Sequence, residues 1–289
     1  MNPEITKEYQ HPPAAIAFMS RALIPSRGLT KNGTFPRITL RWTGMRFDAG
    51  SMAAVKQATG LSGDDEVSVL HPHIIGMRLQ MALLTHPDYP LPIWHAVQIR
   101  NQLVRHRHID PRQAYAMETA IGEHRVFDKG IEVDLLTRLL CGSDCCWESK
   151  ITYYYRGHFG LTGTPRPKEE SPDLAHAKLM VHLSMPSAGG WRFGHLTGDY
   201  NGIHNWSWYA RLFGFRGALL HPQRSAGMCM ARLTEPLSVA QSLALWIKGP
   251  VLYDTDVSLT ALTTERGTTF GLIPDADGRA ALIGCWESC

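Results

Sequence analysis

Apolar positions along the chain fall into two similar series of blocks. In the first, a strand-like stretch over Arg37 to Trp42 precedes a helical segment, Ser51 to Thr59. A more apolar helix follows, Pro72 to Leu84, opening at His71-Pro72. Proline suits a first helical turn, where its missing N–H would have had no intrahelical partner. Four strand-like runs come next: Trp94 to Arg105, Gln113 to Arg125, Gly130 to Leu140 and Trp147 to Arg156. The second series has a strand over Lys178 to Met185, a helical segment Asn205 to Phe213 and a His-Pro helix, Pro222 to Leu233. Its closing strands are Ser242 to Lys248, Asp256 to Leu262, Thr268 to Leu272 and Ala280 to Trp286. Strands at this spacing with turn residues between them predict an antiparallel meander. An apolar helix followed by a sheet long enough to wrap it predicts an α+β arrangement.

Short identities run through both series in the same order. Thr43-Gly44 matches Thr197-Gly198, and Gly60 matches Gly214. Leu70-His71-Pro72 matches Leu220-His221-Pro222, with Gly76-Met77 against Gly227-Met228. Cys146-Trp147-Glu148-Ser149 matches Cys285-Trp286-Glu287-Ser288. Four matches in one order argue for a duplication. Between the copies, Leu161 to His176 is rich in Pro, Gly, Lys and Glu and reads as a linker. The expected organisation is an N-terminal extension over 1–35, a first copy over 36–160, a linker over 161–176 and a second copy over 177–289.

Composition narrows the class. Hydrophobic residues make up 44 % and charged residues 19 % of the 289 positions, which excludes a disordered chain. The net charge of +3 comes with no Lys/Arg stripe of the kind a nucleic-acid binder gathers. A mildly basic surface also suits a phosphate-bearing ligand. The six cysteines form no CxxC pair and read as reduced thiols. His106-Arg-His108 and His71-Pro-His73 lack the helical spacing of a metalloprotease pair, so no metal is expected. No run approaches the length of a membrane helix, and no targeting segment is evident, so the expected location is cytoplasmic.

The most pointed stretch is Leu196-Thr-Gly-Asp-Tyr-Asn-Gly-Ile-His204. Asp199 and His204, across a glycine-containing turn, can converge on one water. The carboxylate can accept its proton, and the imidazole can position it or return a proton. The same residues would also serve as an Asx-turn and a helix cap. The repeat bears on the choice. With Thr43-Gly44 taken as the match, Met45, Phe47 and Gly50 stand where Asp199, Asn201 and His204 are. A polar trio in one copy alone fits an active half paired with a structural one.

From Thr197-Gly-Asp-Tyr-Asn-Gly-Ile-His204 through Ala210, Gly214-Phe215 and His221, the chain resembles the hydratase motif of MaoC-like proteins, the (R)-specific enoyl-CoA hydratases and related acyl dehydratases. The resemblance covers about twenty-five residues, Leu196 to His221. It implies a double hot dog, two copies of a long helix wrapped by an antiparallel sheet, with the site in the second copy. It further implies that Asp199 and His204 hold a water and add it across a 2-enoyl thioester, or run the reverse dehydration, without a cofactor. Asn201 would hold the loop or contact the pair. Backbone N–H groups at the helix start after His221 would face the thioester oxygen. Arg211, Arg216 and Arg224 are candidates for carrier phosphates. The partner is the acyl thioester of CoA or of an acyl carrier protein, and either a monomer or a homodimer of double hot dogs fits.

Two departures stand out. The family motif has Pro where this chain has Gly202, and Gly where it has Pro222. Proline cannot donate to an oxyanion, so Gln223 or Arg224 would have to take that role. Two other readings stay open on the same fold. One is an acyl-CoA thioesterase, although no carboxylate lies between His221 and Leu233. The other is a non-catalytic acyl-thioester binding protein.

Overall fold

The computed structural model describes residues 4–29, 34–61, 66–160, 164–168, 170–186 and 189–289. The first half contains β1 (Glu4–Tyr9), α1 (Ala15–Ala22), β2 (Arg37–Met45), α2 (Ala49–Thr59) and α3 (His71–Leu84). It continues with β3 (Val97–Arg105), β4 (Tyr115–Phe127), β5 (Gly130–Cys141) and β6 (Asp144–Arg156). The second half contains β7 (Lys178–Ser184), α4 (Gly190–Thr197), a 3-10 turn (Gly202–His204), α5 (Ser207–Leu212) and α6 (Pro222–Met230). Strands β8 (Gln241–Ile247), β9 (Asp256–Thr263), β10 (Gly267–Pro274) and β11 (Leu282–Ser288) close it.

Among the described residues, the eleven strands form one sheet in the order β1-β2-β4-β5-β6-β3-β8-β11-β10-β9-β7. Set β1 aside, and the order reads as two equivalent five-strand halves meeting at β3 and β8. Those two strands pair antiparallel, Arg105 with Gln241 through Arg100 with Trp246, so the sheet crosses the middle of the molecule unbroken. Alternation explains why the strands sit as they do: β9 reads exposed-buried over Asp256 to Ala261, with Val257, Leu259 and Ala261 facing inward. Helix α3 is buried almost all round, as a helix wrapped by a sheet must be. One hydrophobic core runs through both halves, from Phe35 to Trp286.

The repeated tryptophans occupy equivalent strands. Trp147 of β6 donates to Val69 O at 2.8 Å, and Trp286 of β11 donates to Gln241 Oε1 at 3.1 Å. Both rings are buried with their N–H satisfied, which avoids the cost of roughly 1–3 kcal/mol for an orphaned buried donor.

The short helices cross between halves. Helix α2 of the first half packs on α6 of the second, and α4 of the second packs on α3 of the first. Arginines tie both crossings. Arg224 of α6 donates to Ala58 O at the end of α2. Arg78 of α3 donates to Leu196 O and His195 O at the end of α4. A cation at a helix C-terminus satisfies orphan carbonyls and faces the negative end of the dipole.

The N-terminal extension expected before residue 36 contributes regular structure: β1 pairs parallel with β2, and α1 packs on α3. Two sequence expectations change. The counterpart of α2 is α4, which the apolar pattern did not predict, and not the Asn205 to Phe213 segment. Thr43-Gly44 lies in strand β2 while Thr197-Gly198 ends a helix, so that match was one of sequence alone. The true counterpart is Thr59-Gly60. Gly60 and Gly198 cap α2 and α4 at φ +81° and +75°, a left-handed backbone that glycine adopts without strain. Thr59 Oγ1 donates to Val55 O and accepts from Leu61 N. Thr197 Oγ1 donates to Phe193 O and accepts from Asp199 N. Leu61 therefore stands where Asp199 is. Among the described residues, no helix is long and apolar enough to cross a membrane.

Candidate active site

The Thr197-Gly198 cap turns the chain out of α4 and delivers Asp199 to the start of α6. The carboxylate is held at both oxygens. Oδ1 accepts from Asn201 N at 2.9 Å, and Oδ2 accepts from His221 Nε2 at 3.2 Å. Asn201 Oδ1 accepts from Ile203 N, which winds the 3-10 turn that carries His204. Gly202 leaves room there: a Cβ would lie 2.7 Å from the Tyr209 ring.

His204 points one nitrogen each way. Nδ1 lies 3.0 Å from Leu219 O, and a carbonyl can only accept, so Nδ1 carries the proton. Burial, with His221 nearby, lowers its pKa against the opposing pull of Asp199. The ring is thus neutral and presents the Nε2 lone pair, 3.7 Å from Asp199 Oδ2. Burial pushes the Asp199 carboxyl up. The His221 hydrogen bond, the charge field of both histidines and the Asn201 amide outweigh it, so the net pKa is well below the usual carboxylate range. One water can donate to both atoms of such a pair, one hydrogen to Oδ2 and one to Nε2, leaving its lone pairs free.

Beside the pair is a cavity of about 300 Å³ that draws its wall from both halves. Met19 and Ala22 come from α1, Met77, Met81 and Leu84 from α3, and Ile93 to Gln98 supply several more positions. The second half gives Asp199, Asn201, His204, His221, Pro222 and the apolar positions Ile247, Val251 and Leu282. The lining is mainly apolar with a few convergent polar groups, as in small-molecule sites.

Of the expected site residues, Asp199, Asn201, His204 and His221 come together around this cavity. Gln223 and Arg224 do not line it. Gln223 is buried beneath, donating to His73 Nε2 at 3.0 Å and Gln98 Oε1 at 3.1 Å. Arg224, expected beside the substrate, instead holds the end of α2, with its guanidinium also 5.9 Å from the Tyr253 ring. Arg211 and Arg216 likewise lie off the cavity. The sequence reading missed α1, Gln98 and Tyr153 as wall. Only the strand register, which no local pattern displays, brings the last two here.

Asp199 Oδ2, His204 Nε2 and the His221 ring offer ligand atoms within 4.8 Å of one another, a two-His-one-carboxylate set that could hold a divalent metal. A second such group, His106, Cys145 and Glu148, sits near the surface on β6 and the end of β3.

Two sheets of five strands, each wrapping a helix and joined edge to edge, decide the architecture. The chain is a double hot dog. No family model matches the sequence. A curated relative, 3-hydroxyacyl-thioester dehydratase X of Mycobacterium tuberculosis (strain ATCC 25618 / H37Rv), is 24 % identical over 233 residues, 80 % of this chain and 82 % of the relative. The crystal structure of HtdX from Mycobacterium tuberculosis superposes with a TM-score of 0.71 at 23 % identity, covering 86 % of this chain and 99 % of that one. A MaoC-like dehydratase from Phytophthora capsici superposes with a TM-score of 0.65 at 13 % identity, covering 89 % and 96 %. The double hot dog is thus similar to MaoC-like dehydratases along most of its length, well beyond the twenty-five residues that carry the motif.

Proposed function

We propose that this protein is a hydro-lyase that adds water to a 2-enoyl thioester, or removes it from a 3-hydroxyacyl thioester. The supporting observation is the pairing of Asp199 Oδ2 with His204 Nε2, 3.7 Å apart at the wall of an apolar cavity. The similarity to a protein named as a 3-hydroxyacyl-thioester dehydratase agrees with it.

In this reading Asp199 and His204 orient one water, and its oxygen attacks C3 of the enoyl group. Asp199 takes a proton from that water as the C3–O bond forms. The electron pair of the C2=C3 bond moves toward the thioester, giving an enolate. Asp199 then delivers its proton to C2 and the carbonyl re-forms. The sum is one hydrogen on C2 and one hydroxyl on C3, with the carboxylate regenerated. His221 steadies Asp199 by donating to it. The first half, over 36–160, is scaffold and acyl-chain wall, and the second, over 177–289, carries the catalytic pair. The carrier is CoA or an acyl carrier protein.

Loss of enoyl absorbance from a 2-enoyl-CoA, followed together with free-thiol release, tests this. Absorbance loss without thiol release is expected, and Asp199→Asn should abolish it in a folded protein. Thiol release in its place would make the protein a thioesterase. Saturable acyl-CoA binding with no turnover at any chain length would make it a binding module.

A further inference from the structure

A hydration that passes through an enolate needs donors aimed at the thioester oxygen, where charge develops. The first turn of α6 would offer one, but Pro222 at its start has no N–H. The cavity wall also holds two donors with nothing to donate to among the described residues. Gln98 Nε2 and Tyr153 Oη are both buried and have no hydrogen-bond partner among the described residues, and both residues line the cavity.

These two groups are placed as a pair. Gln98 of β3 and Tyr153 of β6 are directly opposite each other in the strand register, so their side chains leave the same face of the sheet. The register shifts between Gln98 and Arg100. Such a bulge re-aims a side chain and recurs beside active sites. The Gln98 amide is also held. Its Oε1 accepts from Gln223 Nε2, on the second residue of α6, at 3.1 Å, which leaves the NH2 as the free end beside the helix start. Tyr153 is 4 % exposed. Burial first, and then the charge of Asp199, raise its pKa far above the ordinary phenol value, so the oxygen keeps its proton to donate. A buried donor left unmet is destabilising. Each such group calls for an explanation, and a ligand oxygen in the cavity would satisfy both.

We propose that Gln98 Nε2–H and Tyr153 Oη–H together receive the thioester carbonyl oxygen, replacing the backbone donor lost at Pro222. The assignment rests on the hydro-lyase reading for its chemistry. Both donors keep their protons throughout: they stabilise the enolate oxygen while the proton from water travels through Asp199 to C2. The half without the Asp–His pair thereby supplies catalytic groups.

The test uses the full chain, with Gln98→Leu and Tyr153→Phe made singly, and two readouts. In turnover of a 2-enoyl-CoA, each variant should lose about 10²–10³ in kcat with little change in KM, the magnitude of one oxyanion donor. Adding Pro222→Gly to Gln98→Leu should restore at least a tenfold gain, because it returns a backbone N–H. In binding, a 2,4-dienoyl-CoA should show a red-shifted absorbance on the wild-type protein, from polarisation of its carbonyl, and a smaller shift on either variant. Tyr153→Phe keeps the ring and its packing, so it carries the test if Gln98→Leu fails to fold. Unchanged kcat in both variants, a rise in KM alone, or a dienoyl spectrum that the variants leave unaltered would overturn the assignment. A wild-type protein that red-shifts the dienoyl thioester yet hydrates no enoyl-CoA would keep these donors and refute the hydro-lyase reading instead.

Discussion

The two halves carry the same histidine at the same helix start, with opposite outcomes. His221 packs its ring 5.1 Å from Phe193 and donates to Asp199. His71 packs 5.3 Å from Phe47, edge-on, and its Nε2 has no partner among the described residues. The helix cap that should present a carboxylate to His71 ends in Leu61, itself buried. The caps are alike down to the threonine hydroxyl, so backbone geometry does not separate the half with the Asp–His pair from the half without it. One residue after the cap does, together with the segment from Asn201 to Leu219 that brings His204 in. The first half spans the corresponding stretch with far fewer residues.

The comparison breaks most visibly at Asp199. Asp199→Asn or His204→Ala should lower turnover by about 10²–10⁴-fold with the far-ultraviolet circular dichroism unchanged. Full activity in both would remove the distinction between the halves. The converse exchange, Leu61→Asp, should create no second site, because nothing equivalent to His204 reaches it. It should destabilise the protein by about 3 kcal/mol, as a carboxylate forced into an apolar pocket does, read from urea unfolding.

Acid sensitivity should come partly from the first half. Burial lowers His71 to about 4 despite the nearby Asp48, and burial with the His221 charge lowers His73 to about 3. An unfolded histidine titrates near 6.5. Between about pH 6.5 and 4 the unfolded chain therefore binds more protons than the folded one, and stability falls as pH falls through that window. The Tm should be lower at pH 5 than at pH 7.5, and His71→Leu should flatten the difference. A Tm independent of pH would show that these rings are not held neutral.

The finest comparison uses the paired caps. Thr59→Val and Thr197→Val each remove a hydroxyl that both donates and accepts, and each should cost about 1 kcal/mol. Only Thr197→Val should also lower kcat, because only that cap aims a carboxylate. Equal effects on kcat would mean that the cap does not position Asp199.

Much of this was legible in the chain. The meander strands and both His-Pro helices follow from alternation and from Pro at a helix start, and the Asp199–His204 stretch declares itself as a polar motif with a specific family likeness. Helix α4 did not, since its two glycines and its half-exposed Trp191 break the apolar period. That gap made Thr43-Gly44 look like the partner of Thr197-Gly198, when Thr59-Gly60 was the structural match. Strand β1 is mostly exposed at the sheet edge and shows no alternation to read. Gln98 and Tyr153 lie far apart in sequence and meet only through the pairing of β3 with β6, while Arg224, legible as a cation near the site, is drawn off by the end of α2.

The crossed packing of α2 on α6 and α4 on α3 makes the two halves interdependent. Each central helix lies against the sheet of its own half, and the short helix of each half also packs on the central helix of the other. Joining both copies in one chain lets them differ. Two identical copies share every substitution, so a leucine after one cap would stand after both. In this chain Leu61 follows one cap while Asp199 follows the other.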